Sequence, residues 1–265
     1  MRPTGSFVMS AYVATSGRKI DRPEDSSPGV ERTLNATGFT INSLDEVSRE
    51  FVRFAAGVAP ERVLDVGAGF GVATLAALEA GASVIANDME AGHLAHVESR
   101  CPASFRSRLT LSPERFPDEV ALEPGSIAGV LLSRVLHFFS GSAVERSAAT
   151  VARWLRPGGR VFVVCESSLF LEDARLRRVY QQQRSRGERW PGFVRGVHDL
   201  LPHRAQFVPD QLHYLDPPTL RRIFETRGFE IETAGHFRRA VSESGGGGSD
   251  GNRVRTCVRL IAKRH

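Results

Sequence analysis

The chain is poor in cysteine, and the three it has (Cys101, Cys165 and Cys257) lie far apart among 265 residues. No Cys-x-x-Cys pair exists, so neither a structural zinc site nor a dithiol redox motif is written here; the usage suits a reducing cytosol. No stretch approaches the run of about eighteen apolar residues that a membrane span requires. No basic segment followed by an apolar one opens the chain, so no secretory signal is read and a cytoplasmic protein is expected. The histidines at 93, 96, 198, 203 and 213 never cluster with carboxylates in a ligand spacing, and no metal is expected. Internal repeats are absent. The formal charge of +5 comes from scattered arginines without a basic run interleaved with aromatics, which argues against a nucleic-acid partner.

What is present is ordinary globular material, 41% hydrophobic and 25% charged, enough for one sizeable domain. The organising stretch is Arg62 to Leu78. Val63 to Val66 reads as a short buried strand stopped by glycine. Gly67, Gly69 and Gly71 form a tight turn, and the alanine- and leucine-rich run from Val72 has helix propensity. Strand, glycine turn and helix make the first half of a nucleotide-binding βαβ unit, with backbone N–H groups and a helix N-terminus facing the ligand. The spacing is G-x-G-x-G, whereas a dinucleotide fingerprint would need a glycine where Val72 stands. A second apolar run, Ala82 to Asn87, ends at Asp88, about twenty residues on, where an acid can take both hydroxyls of an unphosphorylated ribose.

These residues resemble the first motif and the following acidic position of class I S-adenosylmethionine (SAM)-dependent methyltransferases. The segment Trp154-Leu-Arg-Pro-Gly-Gly-Arg-Val-Phe-Val-Val164 resembles a later strand of the same family and supports the assignment independently. The resemblance spans about residues 40 to 262, with its specific motifs at 62–90 and 126–165. It implies an α/β fold: a doubly wound seven-stranded sheet, parallel except for the last, antiparallel strand, with a helical cap inserted at 167–214. Residues 1–38 are expected to be loosely ordered and 39–265 to form the methyltransferase domain. The polar glycine run at 245–248 reads as a flexible loop.

In order, the pattern predicts a helix near 43–54 capped by Ser43 or Asn42, and strands at Val63–Val66, Ala82–Asn87, Arg108–Leu111, Ser126–Ser133 and Val161–Cys165. Helices are predicted at 91–99, 142–155 and 169–184, the second ended by Arg156-Pro-Gly-Gly-Arg160. A helix opening at Asp216-Pro-Pro and an antiparallel pair at Phe229–Phe237 and Arg253–Ala262 follow.

The resemblance implies SAM as cofactor, bound by Asp65, Gly67, Ala68, Gly69, Gly71, Asp88, Met89, Glu114 and Ser133. Ribose falls to Asp88, an apolar wall beside adenine to Met89, and ordering of the loop and the aminoacyl end to Asp65. Two positions depart from the family: Ser112 stands where an adenine-binding acid is usual, with Glu114 two residues on, and Ala128 replaces an aspartate entering the fourth strand. For the substrate, Trp190, His198, His213 and Tyr214 are candidates, because residue types with apolar bodies and polar tips concentrate in the cap, and so is Arg134, whose planar guanidinium can orient an acidic substrate. His137, just past the fourth strand, is the candidate general base, since imidazole exchanges protons near neutrality. The expected activity is methyl transfer to a small molecule, at oxygen. An RNA methyltransferase and a non-catalytic SAM-binding module are the alternatives. Asp216-Pro217-Pro218 resembles the motif of amino-group methyltransferases of nucleic acids, but it opens a late helix rather than following the fourth strand.

Overall fold

The computed structural model describes residues 30–35, 37–168, 174–202, 205–206, 208–241 and 253–265. The expectations for most of the N-terminal segment, for the first residues of the 169–184 helix and for the glycine run at 245–248 fall outside these.

Two short strands, β1 (Val30–Arg32) and β2 (Phe39–Ile41), pair antiparallel with Val30 opposite Ile41. The first of them lies inside the segment expected to be loosely ordered, so that expectation is corrected for residues 30–32. Helix α1 (Glu46–Gly57) follows. Its cap is Asp45, whose carboxylate accepts from the Ser48 N–H at 2.8 Å, and neither Ser43 nor Asn42 serves. The reason is local: β2 holds the chain extended through Ile41, which moves the helix start downstream to the next residue able to cap.

The βα units then run β3 (Arg62–Val66), α2 (Val72–Glu79), β4 (Ser83–Asn87), α3 (Ala91–Arg100), β5 (Leu109–Ser112) and β6 (Ile127–Ser133). Next come α4 (Gly141–Trp154) and β7 (Leu155–Glu166). The Arg-Pro-Gly-Gly run does not end α4 as predicted. The chain turns extended at Leu155, which pairs with Ile127, and pairing resumes only at Arg160 opposite Gly129. Residues 156–159 therefore bulge out of the strand, and the glycines serve that bulge. A Cβ on Gly159 would stand 2.8 Å from the Ala128 carbonyl.

The cap contains α5 (Ala174–Ser185), β8 (Phe193–Arg195), α6 (Val197–Leu200) and β9 (Gln211–His213), with β8 and β9 paired antiparallel. Leu176 and Tyr180 of α5 are buried with Val194, Val197, Leu212 and Tyr214, so the cap carries a small core of its own. Helix α7 (Pro217–Glu225) is capped by Asp216, and β10 (Phe229–Val241) and β11 (Arg253–Arg264) complete the sheet.

The seven-stranded sheet has the order β10-β11-β7-β6-β3-β4-β5, and β11 runs antiparallel to both of its neighbours. The remaining pairs are parallel, as a doubly wound sheet requires. Buried on both faces, the central strands read as apolar runs. Val63, Val84, Leu131 and Phe162 face α1 and α2, while Leu64, Ile85, Val130 and Val163 face α4 and α7. This double cover fixes the strand ends in space, and their carboxyl ends carry every loop discussed next.

Candidate active site

At the carboxyl end of β3 the three motif glycines have φ of 66°, 54° and 79°. That region costs other residues about 1–2 kcal/mol. Space forbids side chains as well. A Cβ on Gly67 would lie 2.5 Å from Val135 Cγ2, and one on Gly69 would lie 2.8 Å from Thr40 Oγ1. The turn is thus clamped between the loop after β6 and the strand β2. The Ala68 N–H donates to the Asn87 carbonyl at 2.9 Å, which holds the turn against the end of β4.

Asp65, in β3 below the turn, is buried and accepts from the Thr74 hydroxyl at 2.7 Å. Burial raises its pKa to about 6, because taking the carboxylate out of water outweighs that hydrogen bond. Asp88, also buried, faces the same turn. Its Oδ2 accepts from the Gly69 N–H at 2.8 Å and its Oδ1 from the Glu90 N–H at 2.9 Å. His93 Nδ1 lies 3.1 Å from Oδ1 in a bent contact. A carboxylate offers about four lone-pair positions, so the two backbone donors leave capacity for a ribose hydroxyl.

The end of β5 is organised by Asn87, which sequence reasoning passed over. Its amide donates to the Ser112 carbonyl, the Ser112 hydroxyl and the Glu114 carbonyl at 3.0, 3.1 and 2.8 Å. The Ser112 hydroxyl in turn donates to Glu114 Oε2 at 2.6 Å. The only available signal was a polar residue closing an apolar run. Among the described residues the exposed large apolar side chains are Met89 and Phe39, the first beside Asp88 and the second beside Thr40.

After β6 the chain passes Ser133 and Arg134. The Ser133 hydroxyl is buried with no hydrogen-bond partner among the described residues. Arg134 is the one non-glycine described residue at positive φ, 60°, a strained conformation of the kind found at ligand sites. Its backbone N–H donates to the Val164 carbonyl at 2.8 Å, and its guanidinium stands 3.6 Å from Asp45. His137 is buried in the 3₁₀ turn Leu136–Phe138, its ring 4.1 Å from that of Phe138.

The cap closes on this turn. His213 is fully buried and approaches the Phe139 carbonyl with Nδ1 at 3.3 Å. Burial lowers its pKa to about 4, outweighing the carbonyls of Phe139 and Pro191 and the charge of Asp216. Tyr214 is buried beside Gly192, whose carbonyl accepts its N–H at 2.9 Å. Trp190 lies against Gly141 at the start of α4 and donates from Nε1 to Glu145 at 3.1 Å. Burial alone would raise the Glu145 pKa, but the Trp190 donor with Arg189 and Arg222 brings it below the ordinary value. Ser140, Gly141, Ser142, Trp190, Phe193 and Arg195 line a cleft of about 530 Å³ between cap and α4. His198 stands apart, its partners Val208 and Asp210 lying within the cap. Asp216 is spent on the Thr219 N–H and the Tyr180 hydroxyl, at 2.8 and 2.7 Å. Among the described residues no group of three His, Cys, Asp or Glu side chains is placed to hold a metal, and no helix is long and apolar enough to cross a membrane.

The structure therefore brings the predicted cofactor residues to the ends of β3, β4, β5 and β6; Arg134 and His137 follow β6, Arg134 turned toward Asp45, while His213 of the cap packs on Phe139 and Trp190 on the start of α4. Comparison with known proteins gives a consistent picture. Residues 63–159 match the family model described as a methyltransferase domain. An uncharacterized methyltransferase of Mycobacterium bovis is 31% identical over 186 residues, which cover 68% of this chain and 70% of that protein. The demethylmenaquinone methyltransferase of Tropheryma whipplei is 36% identical over 52% of this chain, which spans only 56% of its length. A SAM-dependent methyltransferase structure from Methanosarcina mazei shares the fold with a TM-score of 0.59 at 16% identity, covering 84% of this chain and 98% of the other. The glycine turn, the buried acid facing it and the similarity to known methyltransferases agree: the chain belongs to the class I SAM-dependent methyltransferases.

Proposed function

We propose that the protein transfers a methyl group from SAM to a hydroxyl of a small-molecule acceptor held between the cap and the turn at 136–138. The observation that carries the cofactor half is Asp88 Oδ2 bonded to the Gly69 N–H at 2.8 Å, an acid drawn onto the turn where the nucleoside would lie. The residues suit SAM. Asp88 keeps lone-pair capacity for a ribose hydroxyl, the Ser133 hydroxyl, without a partner among the described residues, offers a donor and acceptor beside the aminoacyl end, and exposed Met89 offers an apolar face to adenine. Buried Asp65, costly to ionise on its own, would be stabilised as a carboxylate by an ammonium near the turn.

Bound SAM supplies an activated methyl group with a good leaving group. The chain's own task is then alignment, which in well-oriented reactions contributes about 7–11 kcal/mol. The small-molecule reading is supported by an open cleft of about 530 Å³ that Trp190 and Phe193 of the cap line with Ser140–Ser142, the residues that follow the 136–138 turn, a size suited to such ligands. The name of the Tropheryma relative, a demethylmenaquinone methyltransferase, points to the same substrate class. Arg134 and Arg195 favour an acceptor with an acidic group near its hydroxyl. His137, on the turn against which the cap packs, would take the hydroxyl proton as the oxygen attacks the methyl carbon.

The test is binding first and transfer second. Calorimetry with S-adenosylhomocysteine should show binding to the wild type, weakened by at least ~1.5 kcal/mol in Asp88→Ala, the loss expected when bonds to a charged acceptor go. Unchanged affinity would sink the cofactor assignment. With labelled SAM and a panel of phenolic and hydroxy-acid acceptors, His137→Gln should lower kcat by roughly 10²-fold with cofactor affinity retained. Retained kcat would assign His137 to structure.

A further inference from the structure

The hairpin formed by β1 and β2 is not an independent appendage. Thr40 fills the space above Gly69, and Leu34 Cδ1 would lie 2.7 Å from a Cβ on Gly92, at the start of α3. Between these contacts sits His93, 1% exposed, with its ring edge-on to Phe70 at 5.0 Å. The Leu34 N–H donates to His93 Nε2 at 3.0 Å. A ring nitrogen that accepts carries no proton, so the imidazole is neutral and its one hydrogen is on Nδ1. That nitrogen stands 3.1 Å from Asp88 Oδ1 in a bent contact that falls short of hydrogen-bond geometry. The chain of contacts therefore runs without a break from the hairpin backbone through His93 to Asp88 and on to the Gly69 N–H.

We propose that His93 is a positioning residue for the cofactor: by accepting from Leu34 and setting its Nδ1 hydrogen against Asp88 it restrains that carboxylate and holds the 30–41 hairpin closed over the glycine turn. The proposal rests on the assignment of SAM to this turn. Its physical content is that one side chain serves two partners of opposite kind. Only a group with one donor and one acceptor about 2 Å apart can do that, and a neutral imidazole meets the requirement. A primary amide meets it too, whereas a phenyl ring of similar size keeps the packing on Phe70 and meets neither half.

The experiment uses the full chain, S-adenosylhomocysteine as probe, and three proteins: wild type, His93→Gln and His93→Phe. Calorimetry gives affinity, and amide hydrogen exchange of the ligand-free proteins reads the hairpin directly. His93→Phe should bind at least 10-fold more weakly and exchange faster at Leu34 and Thr40, with the core strands β3 and β6 still protected. His93→Gln should recover affinity to within about 3-fold and restore most of the hairpin protection. Wild-type affinity in His93→Phe would overturn the proposal. So would His93→Gln being as weak as His93→Phe, which would assign the histidine to packing alone. A wild type that binds no S-adenosylhomocysteine would overturn the cofactor assignment itself, a result separate from the exchange data, which would still report whether His93 holds the hairpin.

Discussion

The two halves of the site edge are built on different plans. On the cofactor half, the polar groups of the turn are satisfied by backbone within one βαβ unit: Asp88 by Glu90 and Gly69, Ala68 by Asn87, with the turn shaped by its own positive-φ glycines. On the cap half, side chains reach across the sequence. His213 meets Phe139 over 74 residues, Trp190 meets Glu145 over 45, and Tyr180 meets Asp216 over 36. The first plan makes a rigid cradle from a short motif, while the second lets an inserted segment be re-shaped without disturbing the sheet. A fixed cofactor and a variable acceptor call for that division.

The largest expected effect tests the rigidity. Gly67→Ala puts a Cβ at positive φ and against Val135. It should cost roughly 2–5 kcal/mol in urea unfolding, from strain and overpacking together. Gly187 in the cap has φ of 66° but nothing within 4 Å of an added Cβ. Gly187→Ala should therefore cost only about 1–2 kcal/mol. Equal losses would erase the contrast.

A second test uses pH. Asp65 has its folded pKa raised to about 6 from 3.8, so it holds its proton more tightly when folded. Its contribution is full below 3.8 and is lost as pH rises through about 6. His213 has its folded pKa lowered to about 4 from 6.5, so its contribution is present above 6.5 and is lost as pH falls through about 4. Each shift corresponds to about 3 kcal/mol, and the two slopes oppose each other between about pH 4 and 6. Asp65→Asn, which keeps the acceptor for Thr74, should be more stable than wild type at about pH 7. Its stability should also rise more steeply with pH across that window. His213→Phe should reverse the sign of the slope. Denaturant melts at three pH values decide the matter, and parallel profiles for all three proteins would refute both assignments.

Smaller effects separate the halves functionally. Trp190→Ala should raise the KM of the acceptor about 10-fold, a loss of about 1.4 kcal/mol, and leave S-adenosylhomocysteine affinity unchanged. Smallest of all, Arg189→Ala removes a pair whose arginine is 63% exposed, and should shift stability by less than about 1 kcal/mol. A larger loss would mean that charge, rather than Trp190 on Gly141, ties the cap down.

The contrast also explains what could be read from the chain. The cofactor half was legible because G-x-G-x-G and Asp88 encode their partners within one βαβ unit. The seven strands and the antiparallel last one followed from the family pattern, and strands buried on both faces announce themselves as apolar runs. The hairpin at 30–41 escaped because three-residue strands carry no periodicity and their partner is set by tertiary contact. Asp45 displaced Ser43 and Asn42 as a cap for the same reason, since the register was chosen by β2. The proline-glycine run after Trp154 carries the composition of a helix stop, yet pairing of Leu155 and Arg160 with β6 on either side made it a bulge. Asn87 and His93 act through other residues, and no spacing rule marks such a role. In the cap, residue type pointed to Trp190 and His213, but nothing local told that His198 would spend its bonds inside the insertion.

The place of β11 between β10 and β7 bears on how the protein is made. The strand that comes last in this sheet fills an interior slot, so β7 and β10 each present an open edge until Arg264 has left the ribosome. Closure couples residues 155–166 to residues 253–264, a long-range pairing of the kind that slows folding. Until then the apolar edge of β7 stands ready to pair with a neighbouring chain. Prompt delivery of that strand is thus a condition of solubility during synthesis, set by topology.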